Sequence, residues 1–362
     1  MKKILILANS SSGLYGFRNE LVLNLLKEYE VYASLPDTTN NEELEKEGCR
    51  IIETRLNRRG MNPVQDFKLF LSYMKILSQI RPDAVLSYTI KPNIYGGMAC
   101  RLKRIPYMVN ITGLGSALEN PGMLRKLAKI LYKCGIKKAS AVFLQNESNL
   151  QFFKDNKMTG SEMVLLPGSG VNTERFSYLP WPEGKTAFIF ISRVMKEKGI
   201  EEYLACAKAI HEEHPEAEFH ILGYCEEAYE DELKKLDSEG VISYHGSVKD
   251  VRPYIEQVKC IIHPSFYPEG MSNVCLESAA CGRAVITTDK AGCLETVIDG
   301  KTGYVVPMKD KEKLTEAVRR FIALSEDEQR EMGKAGREYV SERFDRRIVV
   351  DEYMKRLKKL GL

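Results

Sequence analysis

Residues 260–282 of the chain read CIIHPSFYPEGMSNVCLESAACG. The run from Cys260 to His263 is short and apolar, as buried strands are, and the residues after the loop around Gly270 have a helical composition. A strand that passes through a short loop into a helix is the repeating unit of a parallel sheet covered by helices. The segment therefore predicts an α/β fold.

The same strand and helix rhythm recurs along the whole chain, with one interruption. Short apolar or β-branched runs predict strands on both sides of it. The predicted strands lie at residues 4–8, 30–34, 84–87, 107–111 and 141–145, and then at residues 187–191, 218–222, 242–245, 260–263, 284–287 and 304–306. The interruption, at residues 166–182, contains a Pro-Gly-Ser-Gly run, two further prolines and the only tryptophan. We interpret it as a linker.

A chain of 362 residues exceeds what one hydrophobic core usually serves, so we expect two α/β domains with parallel sheets that face a shared cleft. Their predicted bounds are residues 1–172 and 173–345. A helical pattern over residues 345–362 follows the second domain and is expected to pack elsewhere. Its apolar positions are Ile348, Val349, Tyr353 and Leu357.

Composition excludes several classes of protein. The nine cysteines form an odd set without a C-x-x-C pair, which suits neither a disulfide framework nor a zinc site and predicts a reducing, cytoplasmic compartment. The apolar run at residues 4–8 is too short for a signal peptide, and no stretch has the roughly 20 apolar residues that span a bilayer. A net charge of +3 is too small for a general nucleic-acid binder.

The loop and helix after residue 263 hold two carboxylates that stand eight residues apart, Glu269 and Glu277. The free N–H groups at a helix start favour bound anions, and a carboxylate within the helix can accept two hydrogen bonds from a diol such as ribose. Taken singly, Glu269 is equally well explained as a solvated loop residue and Glu277 as an exposed helix residue.

The full string E-G-x-x-N-V-x-L-E-x-x-A-C-G closely resembles the E-x7-E signature of retaining glycosyltransferases of the GT-B fold, family 4. Residues 192–199, SRVMKEKG, resemble the basic pair of that family, in which an Arg and a Lys five residues later neutralise the donor diphosphate. The segments at residues 222–223, 245–247 and 292–303 also look like landmarks of its C-terminal domain. The resemblance covers nearly the whole chain.

The resemblance implies a retaining transfer of a hexose or N-acetylhexosamine from a nucleotide diphosphate sugar, with UDP as the nucleotide and no other cofactor. It implies an N-terminal acceptor-binding domain, onto which helix 346–362 returns, and a C-terminal domain that binds the nucleotide sugar. The implied catalytic residues are Glu269, Arg193 and Lys198. The implied donor-binding residues are Glu277, Gly270, Met271, Ser272, Asn273, Val274, Ser192 and Val248.

Three loops of the first domain follow predicted strands, at residues 9–13, 88–96 and 110–115. The first lacks the G-x-G-x-x-G fingerprint, which disfavours an NAD-dependent enzyme. The other two resemble a branch of the family that builds capsular, O-antigen or exopolysaccharide repeat units on lipid carriers, which implies a lipid-linked saccharide acceptor. The candidate acceptor and phosphate residues are Ser12, Gly13, Tyr88, Lys91, Thr112 and Gly113. A turn explains Gly13 equally well, and a surface position explains Lys91.

All five histidines lie in the second half of the chain, at residues 211, 214, 220, 245 and 263. No histidine of the first domain can therefore act as a base, which favours a mechanism in which the departing phosphate accepts the proton of the acceptor on the same face. The chain contains no Asp-x-Asp, so the usual metal clamp on the donor diphosphate has no evident ligands. We therefore predict metal independence.

The segment from residue 101 to residue 138 has nine basic residues against one acid, Glu119. Within it, residues 121–138 read as a basic amphipathic helix whose apolar side holds Leu124, Leu127, Ala128, Leu131 and Ile136. Such a helix can rest on anionic lipid at the inner face of the cell membrane, and a solvated face on a core-packed helix explains it equally well.

Two rival functions remain open at this point. A UDP-sugar 2-epimerase of similar fold would interconvert nucleotide sugars without an acceptor, but its usual demand for additional carboxylates and histidines is poorly met. A catalytically idle nucleotide-binding module would have no need to keep Glu269, Glu277, Arg193 and Lys198 together.

Overall fold

The computed structural model describes residues 1–57, 60, 62–115, 118 and 122–362. These residues form two compact units. Unit 1 contains residues 1–170 together with residues 346–362, and unit 2 contains residues 171–345. Each unit has one sheet, and the strand pairs within both sheets are parallel, as predicted.

Unit 1 contains a seven-stranded sheet in the order β3-β2-β1-β4-β5-β6-β7. The strands are β1 (Lys3–Leu7), β2 (Glu30–Leu35), β3 (Arg50–Glu53), β4 (Ala84–Tyr88), β5 (Tyr107–Ile111), β6 (Ala141–Leu144) and β7 (Met163–Leu165). The helices among the described residues of this unit are α1 (Ser11–Leu26), α2 (Asn41–Lys46), α3 (Pro63–Ile80), α4 (Gly97–Lys103), α5 (Met123–Ile136) and α6 (Glu147–Asp155), with a π-helical turn at Pro92–Gly96 before α4. Apolar clusters lie on both faces of the sheet, which is why its strands are almost continuously apolar.

Unit 2 contains a six-stranded sheet in the order β10-β9-β8-β11-β12-β13. Its strands are β8 (Ala187–Ile191), β9 (Glu218–Leu222), β10 (Ser243–Tyr244), β11 (Cys260–His263), β12 (Ala284–Thr288) and β13 (Gly303–Val306). Its helices are α7 (Ile200–Glu213), α8 (Glu230–Ser238), α9 (Arg252–Glu256), α10 (Asn273–Ala280), α11 (Lys311–Ile322) and α12 (Glu326–Arg343). Short 3-10 turns occur at Lys196–Lys198 and Leu294–Thr296.

The eleven strands predicted from the sequence are all present, with ends that differ by at most one residue. The pattern missed β3 and β7. The two apolar residues of β3 are flanked by Arg50 and Glu53, and β7 has only three residues, so neither gives a periodic signal of useful length.

The C-terminal helix α13 (Arg346–Lys359) belongs to unit 1. The prediction that Ile348 lies on its apolar side is wrong, because Ile348 is exposed and Val350 is buried in its place. The Tyr353 hydroxyl accepts a hydrogen bond of 2.8 Å from the Asn110 side chain at the end of β5. The guanidinium group of Arg346 donates to the Gly170 carbonyl and to Glu20 of α1, so the helix is fixed by polar contacts as well as by packing.

Most of the predicted linker, residues 166–182, packs onto unit 2. The fully buried guanidinium group of Arg283 donates to the carbonyl oxygens of Leu179 and Pro180. Arg337 donates in the same way to the carbonyls of Thr173 and Phe176. These bonds satisfy the backbone of an irregular segment, which is why it stays ordered without helix or strand.

Candidate active site

The candidate site of unit 2 lies where the strand order of its sheet reverses. The chain moves outward from β8 to β9 and β10, then returns to the other side of β8 with β11. Strands β8 and β11 are neighbours, so the loops that follow them begin next to each other at the carboxyl edge of the sheet, which is where ligands bind in open parallel sheets. The predicted catalytic residues Arg193 and Lys198 come from the first loop, and Glu269 comes from the second.

Lys198 and Glu269 form a buried ion pair in which the Lys198 ammonium group donates to Glu269 Oε1. Their side chains are only 11% and 12% exposed. The Ser265 hydroxyl lies 3.3 Å from the same oxygen. Burial alone would raise the pKa of Glu269, but the charge of Lys198 and the nearby His263 outweigh it and lower the pKa to about 2. The interpretation of Glu269 as a solvated loop residue is therefore wrong.

His263 is a neighbour of this pair that the sequence did not reveal. It ends β11, its side chain is buried, and its Nε2 lies 3.7 Å from Glu269 Oε1. Burial lowers the pKa of His263, and the opposing attraction of Glu269 is smaller. The sequence feature that could have identified His263 is its position as a polar residue at the carboxyl end of an otherwise apolar strand.

Arg193 is paired with a carboxylate from a third loop. Its guanidinium group donates to Glu226, which follows β9, and the two side chains are 29% and 15% exposed. The ring of Tyr267 lies under both cations of the site, with its centroid 5.1 Å from Arg193 Cζ and 4.8 Å from Lys198 Nζ. Neither Glu226 nor Tyr267 was predicted, because the sequence does not show which loops meet.

Two glycines allow these loops to approach each other closely. Gly223 has a φ of +146°, and a Cβ atom there would lie 1.7 Å from the carbonyl oxygen of Ser192. Gly199 has a φ of +81°, and a Cβ atom there would lie 2.2 Å from the carbonyl oxygen of Pro264. No side chain fits at either position, so the placement of Arg193 and Lys198 depends on both glycines.

The second half of the predicted motif forms the start of α10. The helix begins at Asn273, and the Ser272 N–H donates to the carbonyl of Gly292 over 2.7 Å. The first N–H groups of a helix have no partner within it, and the helix dipole adds positive charge at this end. Gly270, Met271 and Ser272 are buried, and Asn273 and Val274 are half-buried.

Three of the predicted donor-binding residues lie away from the start of α10. Glu277 is half-buried within α10, which does not fit its interpretation as an exposed helix residue. The Ser192 N–H donates to the Leu222 carbonyl over 3.0 Å, so its backbone is used to join the loops after β8 and β9. Val248 is half-buried and packs against the apolar cluster around Ile189 and Leu222.

In unit 1 the strand order reverses between β1 and β4. The predicted residues Ser12 and Gly13 follow β1, and both lie in the first turn of α1. The Ser10 hydroxyl caps this helix by accepting the Gly13 N–H over 3.1 Å. The interpretation of Gly13 as a turn residue is therefore wrong.

The loop after β4 contains Tyr88 and Lys91, and neither side chain is open to solvent. Tyr88 is buried between Arg18, 4.4 Å from its ring centroid, and Tyr353 of α13. Lys91 forms a largely buried ion pair of 2.8 Å with Asp66 of α3, so its interpretation as a surface lysine is wrong. Between them, Thr89 has a φ of +72°, which is strained for a β-branched residue.

Thr112 and Gly113 follow β5 and are half-buried. Beside them, Asn110 accepts a hydrogen bond of 3.1 Å from the Gln145 amide while it donates to Tyr353. The carboxyl ends of β4, β5 and β6 are therefore linked to helix α13 by buried polar side chains. Pro121 and Glu119, which the sequence placed in or near the basic segment, lie outside the described residues.

Within the described ranges, no three His, Cys, Asp or Glu side chains are grouped so that they could hold a metal ion. Metal independence remains a prediction. The positive charge at the unit 2 site comes from Arg193, Lys198 and the start of α10.

Comparison with known proteins identifies the family of the chain. Residues 171–339 match the family model described as glycosyl transferases group 1, and residues 3–146 match the one described as glycosyl transferase 4-like. Together the two matches span most of the chain. The chain therefore belongs to the group 1 glycosyltransferases of family 4, and it is a glycosyltransferase.

Two curated relatives are similar over nearly their whole length. The N,N'-diacetylbacillosaminyl-diphospho-undecaprenol alpha-1,3-N-acetylgalactosaminyltransferase of Campylobacter jejuni is 25% identical, and the match covers 98% of this chain and 97% of the relative. The capsular polysaccharide biosynthesis glycosyltransferase CapM of Staphylococcus aureus is 24% identical, with coverage of 97% and 95%.

Solved structures give the same fold. A glycosyltransferase from Rickettsia africae has a TM-score of 0.80 at 18% identity, with 99% of this chain and 98% of that chain covered. HepE from Anabaena, solved in complex with UDP, has a TM-score of 0.79 at 17% identity, with coverage of 99% and 100%. Together with the two parallel α/β sheets, these neighbours confirm the GT-B fold class.

The buried ion pair predicts how the stability of unit 2 depends on pH. The pKa of Glu269 is about 2 in the folded chain and 4.5 ordinarily, so the pair stabilises unit 2 above pH 4.5 and loses this contribution as the pH falls toward 2. We expect Glu269→Gln to cost roughly 2–3 kcal/mol at pH 7 and progressively less below pH 4.5. Urea unfolding followed by the fluorescence of Trp181, the only tryptophan, reports on unit 2 alone.

The matched control is Glu232→Gln in the same unit. Glu232 pairs with Lys208 over 3.0 Å, but both side chains are about half exposed, so this change should cost at most about 1 kcal/mol. Equal losses in the two variants, or a cost for Glu269→Gln that stays constant into acid, would contradict the assignment of a buried ionised pair.

Proposed function

We propose that the chain transfers a hexose or N-acetylhexosamine from a UDP-sugar, with retention of configuration, to a hydroxyl group of a lipid-linked saccharide. The observation that carries the proposal is the convergence of Arg193, Lys198 and the start of α10 at the switch point of the unit 2 sheet. A nucleoside diphosphate gains charge as the bond to the sugar breaks. Fixed cations and helix N–H groups stabilise that charge without a metal ion.

Each residue of the unit 2 site receives a role in this proposal. Arg193 and Lys198 bind the diphosphate, Glu269 contacts the transferring sugar, and Glu277 accepts the hydroxyl groups of the ribose. Because the pKa of Glu269 is about 2, this group is a carboxylate at pH 7 and can accept hydrogen bonds from sugar hydroxyl groups. The same ionised state makes it unsuitable as a general acid.

In the proposed reaction the bond between the sugar C1 and the diphosphate oxygen breaks, and a bond from C1 to the acceptor oxygen forms on the same face. The acceptor proton passes to the departing phosphate. None of the five histidines lies in unit 1, which supports a route without a histidine base from the acceptor-binding unit. Unit 1 binds the acceptor at the loops after β1, β4 and β5.

The choice of substrates is supported by the relatives. The Campylobacter enzyme is named for an undecaprenol diphosphate substrate, which supports a lipid-linked acceptor for this chain. CapM is named for capsular polysaccharide biosynthesis, and HepE was solved with UDP, which supports a UDP-linked donor.

The direct test incubates the purified chain with UDP-sugars and GDP-sugars, with and without a membrane lipid extract, and measures released nucleoside diphosphate. We expect release that requires the lipid and that falls by about 10²–10³ in Lys198→Ala, because one stabilising donor of the transition state is lost. Lys208→Ala changes an exposed lysine of the same unit and should keep full activity. The anomeric configuration of the lipid product, read by NMR, should match that of the donor.

Three outcomes would contradict this function. Interconversion of nucleotide sugars without diphosphate release would favour the epimerase, and tight donor binding without turnover would favour the idle module. Inversion of the anomeric configuration would leave a glycosyltransferase but overturn retention.

We further propose that unit 1 docks on anionic lipid through helices α3, α4 and α5, beside its acceptor. No described helix is long and apolar enough to cross a bilayer, so we propose a peripheral contact. The predicted apolar side of α5 is divided, because Ala128 and Ile136 are buried whereas Leu124 and Leu127 are exposed. Large exposed apolar side chains of the three helices are Val64, Phe67, Leu71, Leu102, Met123, Leu124, Leu127 and Ile130.

The positive charge of helices α3, α4 and α5 favours anionic lipid as the surface to which they bind. Helix α4 packs against both α3 and α5, so the three helices are neighbours. Their one acidic residue is Asp66, which is buried in its pair with Lys91. Their basic residues are Lys68, Lys75, Arg101, Lys103, Arg125, Lys126, Lys129 and Lys133. Each cation near an anionic membrane surface contributes about 1 kcal/mol.

Vesicle sedimentation tests the lipid contact. The chain should pellet with vesicles of phosphatidylcholine and phosphatidylglycerol but not with phosphatidylcholine alone. A double variant, Leu127→Ser with Ile130→Ser, should bind at least about tenfold more weakly, because two apolar insertions are lost. The control, Leu165→Ser with Met308→Ser, removes exposed apolar side chains elsewhere and should bind normally. Equal binding by both double variants would contradict this docking face.

A further inference from the structure

Each of the two cations of the unit 2 site, Arg193 and Lys198, forms an ion pair with a carboxylate of the same unit. Lys198 is paired with Glu269, and Arg193 is paired with Glu226. We propose that Glu226 is an internal counter-ion that competes with the diphosphate of the donor for Arg193 and thereby weakens nucleotide binding and speeds its release. This inference rests on the proposed role of Arg193 in binding the diphosphate.

The backbone fixes Glu226 next to its partner. The Glu226 N–H donates to the Val194 carbonyl over 3.0 Å, and the Val194 N–H donates to the Tyr224 carbonyl over 2.9 Å. The loop after β9 is therefore joined to the loop after β8 at Val194, the residue that follows Arg193, as a small parallel bridge between Val194 and Cys225. A carboxylate held in this way loses little conformational entropy when it pairs, unlike a mobile surface group.

The pair is also partly withdrawn from water. Glu226 is 15% exposed and Arg193 is 29% exposed, so their attraction is less screened than that of a surface pair. The side chain of Arg193 is nevertheless more exposed to solvent than that of Glu226. An anionic ligand that binds the guanidinium group must weaken or replace the interaction between Arg193 and Glu226. This competition lowers the affinity of the ligand for the site.

Tyr267 holds Arg193 in place when its carboxylate partner changes. Arg193 and Lys198 both lie over the ring of Tyr267, at 5.1 and 4.8 Å from its centroid. This contact does not depend on Glu226. Neutralising Glu226 should therefore leave the guanidinium group positioned while it raises the positive potential that a diphosphate meets.

A purely structural role for Glu226 makes a different prediction. Glutamine has nearly the same shape as glutamate and its amide oxygen can still accept a hydrogen bond from Arg193. If Glu226 only anchors the loop, Glu226→Gln should leave nucleotide affinity unchanged or weaken it. If Glu226 competes by charge, the same variant should bind nucleotide more tightly.

Isothermal titration with UDP and with inorganic pyrophosphate distinguishes the two roles. We expect Glu226→Gln to bind both ligands about tenfold more tightly than the wild type, within the 5- to 150-fold range of coupled sites. Glu226→Asp, which keeps the charge, should stay near the wild type. Stopped-flow displacement of UDP should show slower release from Glu226→Gln, because a neutral amide replaces the competing carboxylate.

The chain offers a matched control in the adjacent residue. Glu227 is exposed, and its carboxylate accepts the Lys196 N–H over 2.9 Å, so Glu227→Gln makes the same change in net charge beside the same loop. We expect its affinity for both ligands to stay within about twofold of the wild type. The double variant Arg193→Met with Glu226→Gln should lose the gain in affinity.

Several results would overturn the inference. Unchanged or weaker binding in Glu226→Gln would do so, as would an equal gain in Glu227→Gln, which would indicate a general effect of net charge. In both cases the wild type still binds UDP, so the proposed function survives. If the folded wild type, checked by the fluorescence of Trp181, binds neither UDP nor GDP nor pyrophosphate, the proposed function and the inference both fail.

Discussion

The buried contact between Lys198 and Glu269 is the interaction on which the unit 2 site depends. Taking a single charge out of water costs several kcal/mol, so neither residue could remain charged in this position without the other. The pair fixes the end of the loop after β8 against the loop after β11, and Tyr267 then lies under Lys198 and Arg193 together. This one contact thus keeps Lys198 and Glu269 charged while they are buried, and it joins the loops after β8 and β11.

The sheets explain why such a contact forms at this place. Each unit reverses its strand order once, between β1 and β4 in unit 1 and between β8 and β11 in unit 2. Loops that leave a parallel sheet at such a point diverge and leave a space that side chains or a ligand must fill. Unit 2 fills it with two cations and two carboxylates, and unit 1 with Tyr88, the Lys91–Asp66 pair and the buried polar side chains around Asn110. One architecture thus carries different chemistry in the two units.

The sequence reveals the features that depend on local pattern. Eleven strands follow from short apolar runs, and Arg193, Lys198, Glu269 and Glu277 follow from a motif whose spacing is read directly. The partner of Arg193 does not follow from it, because Glu226 comes from a different loop whose proximity is set by the order of the strands in the sheet. The same limit explains Lys91, which resembles a surface lysine until α3 places Asp66 beside it. In α13, the sequence pattern does not show whether Ile348 or Val350 is buried, because the rotation of the helix about its axis is set by its packing against unit 1.

The proposed function requires that Arg193, Lys198 and the start of α10 bind the diphosphate of the donor. The most direct measurement is a crystal structure of the chain with UDP. We expect diphosphate oxygens within about 3 Å of Lys198 Nζ, of the Arg193 guanidinium group and of N–H groups at the start of α10. A complex in which UDP binds elsewhere, while Arg193 stays on Glu226 and Lys198 on Glu269 with no phosphate oxygen near either cation, would contradict it.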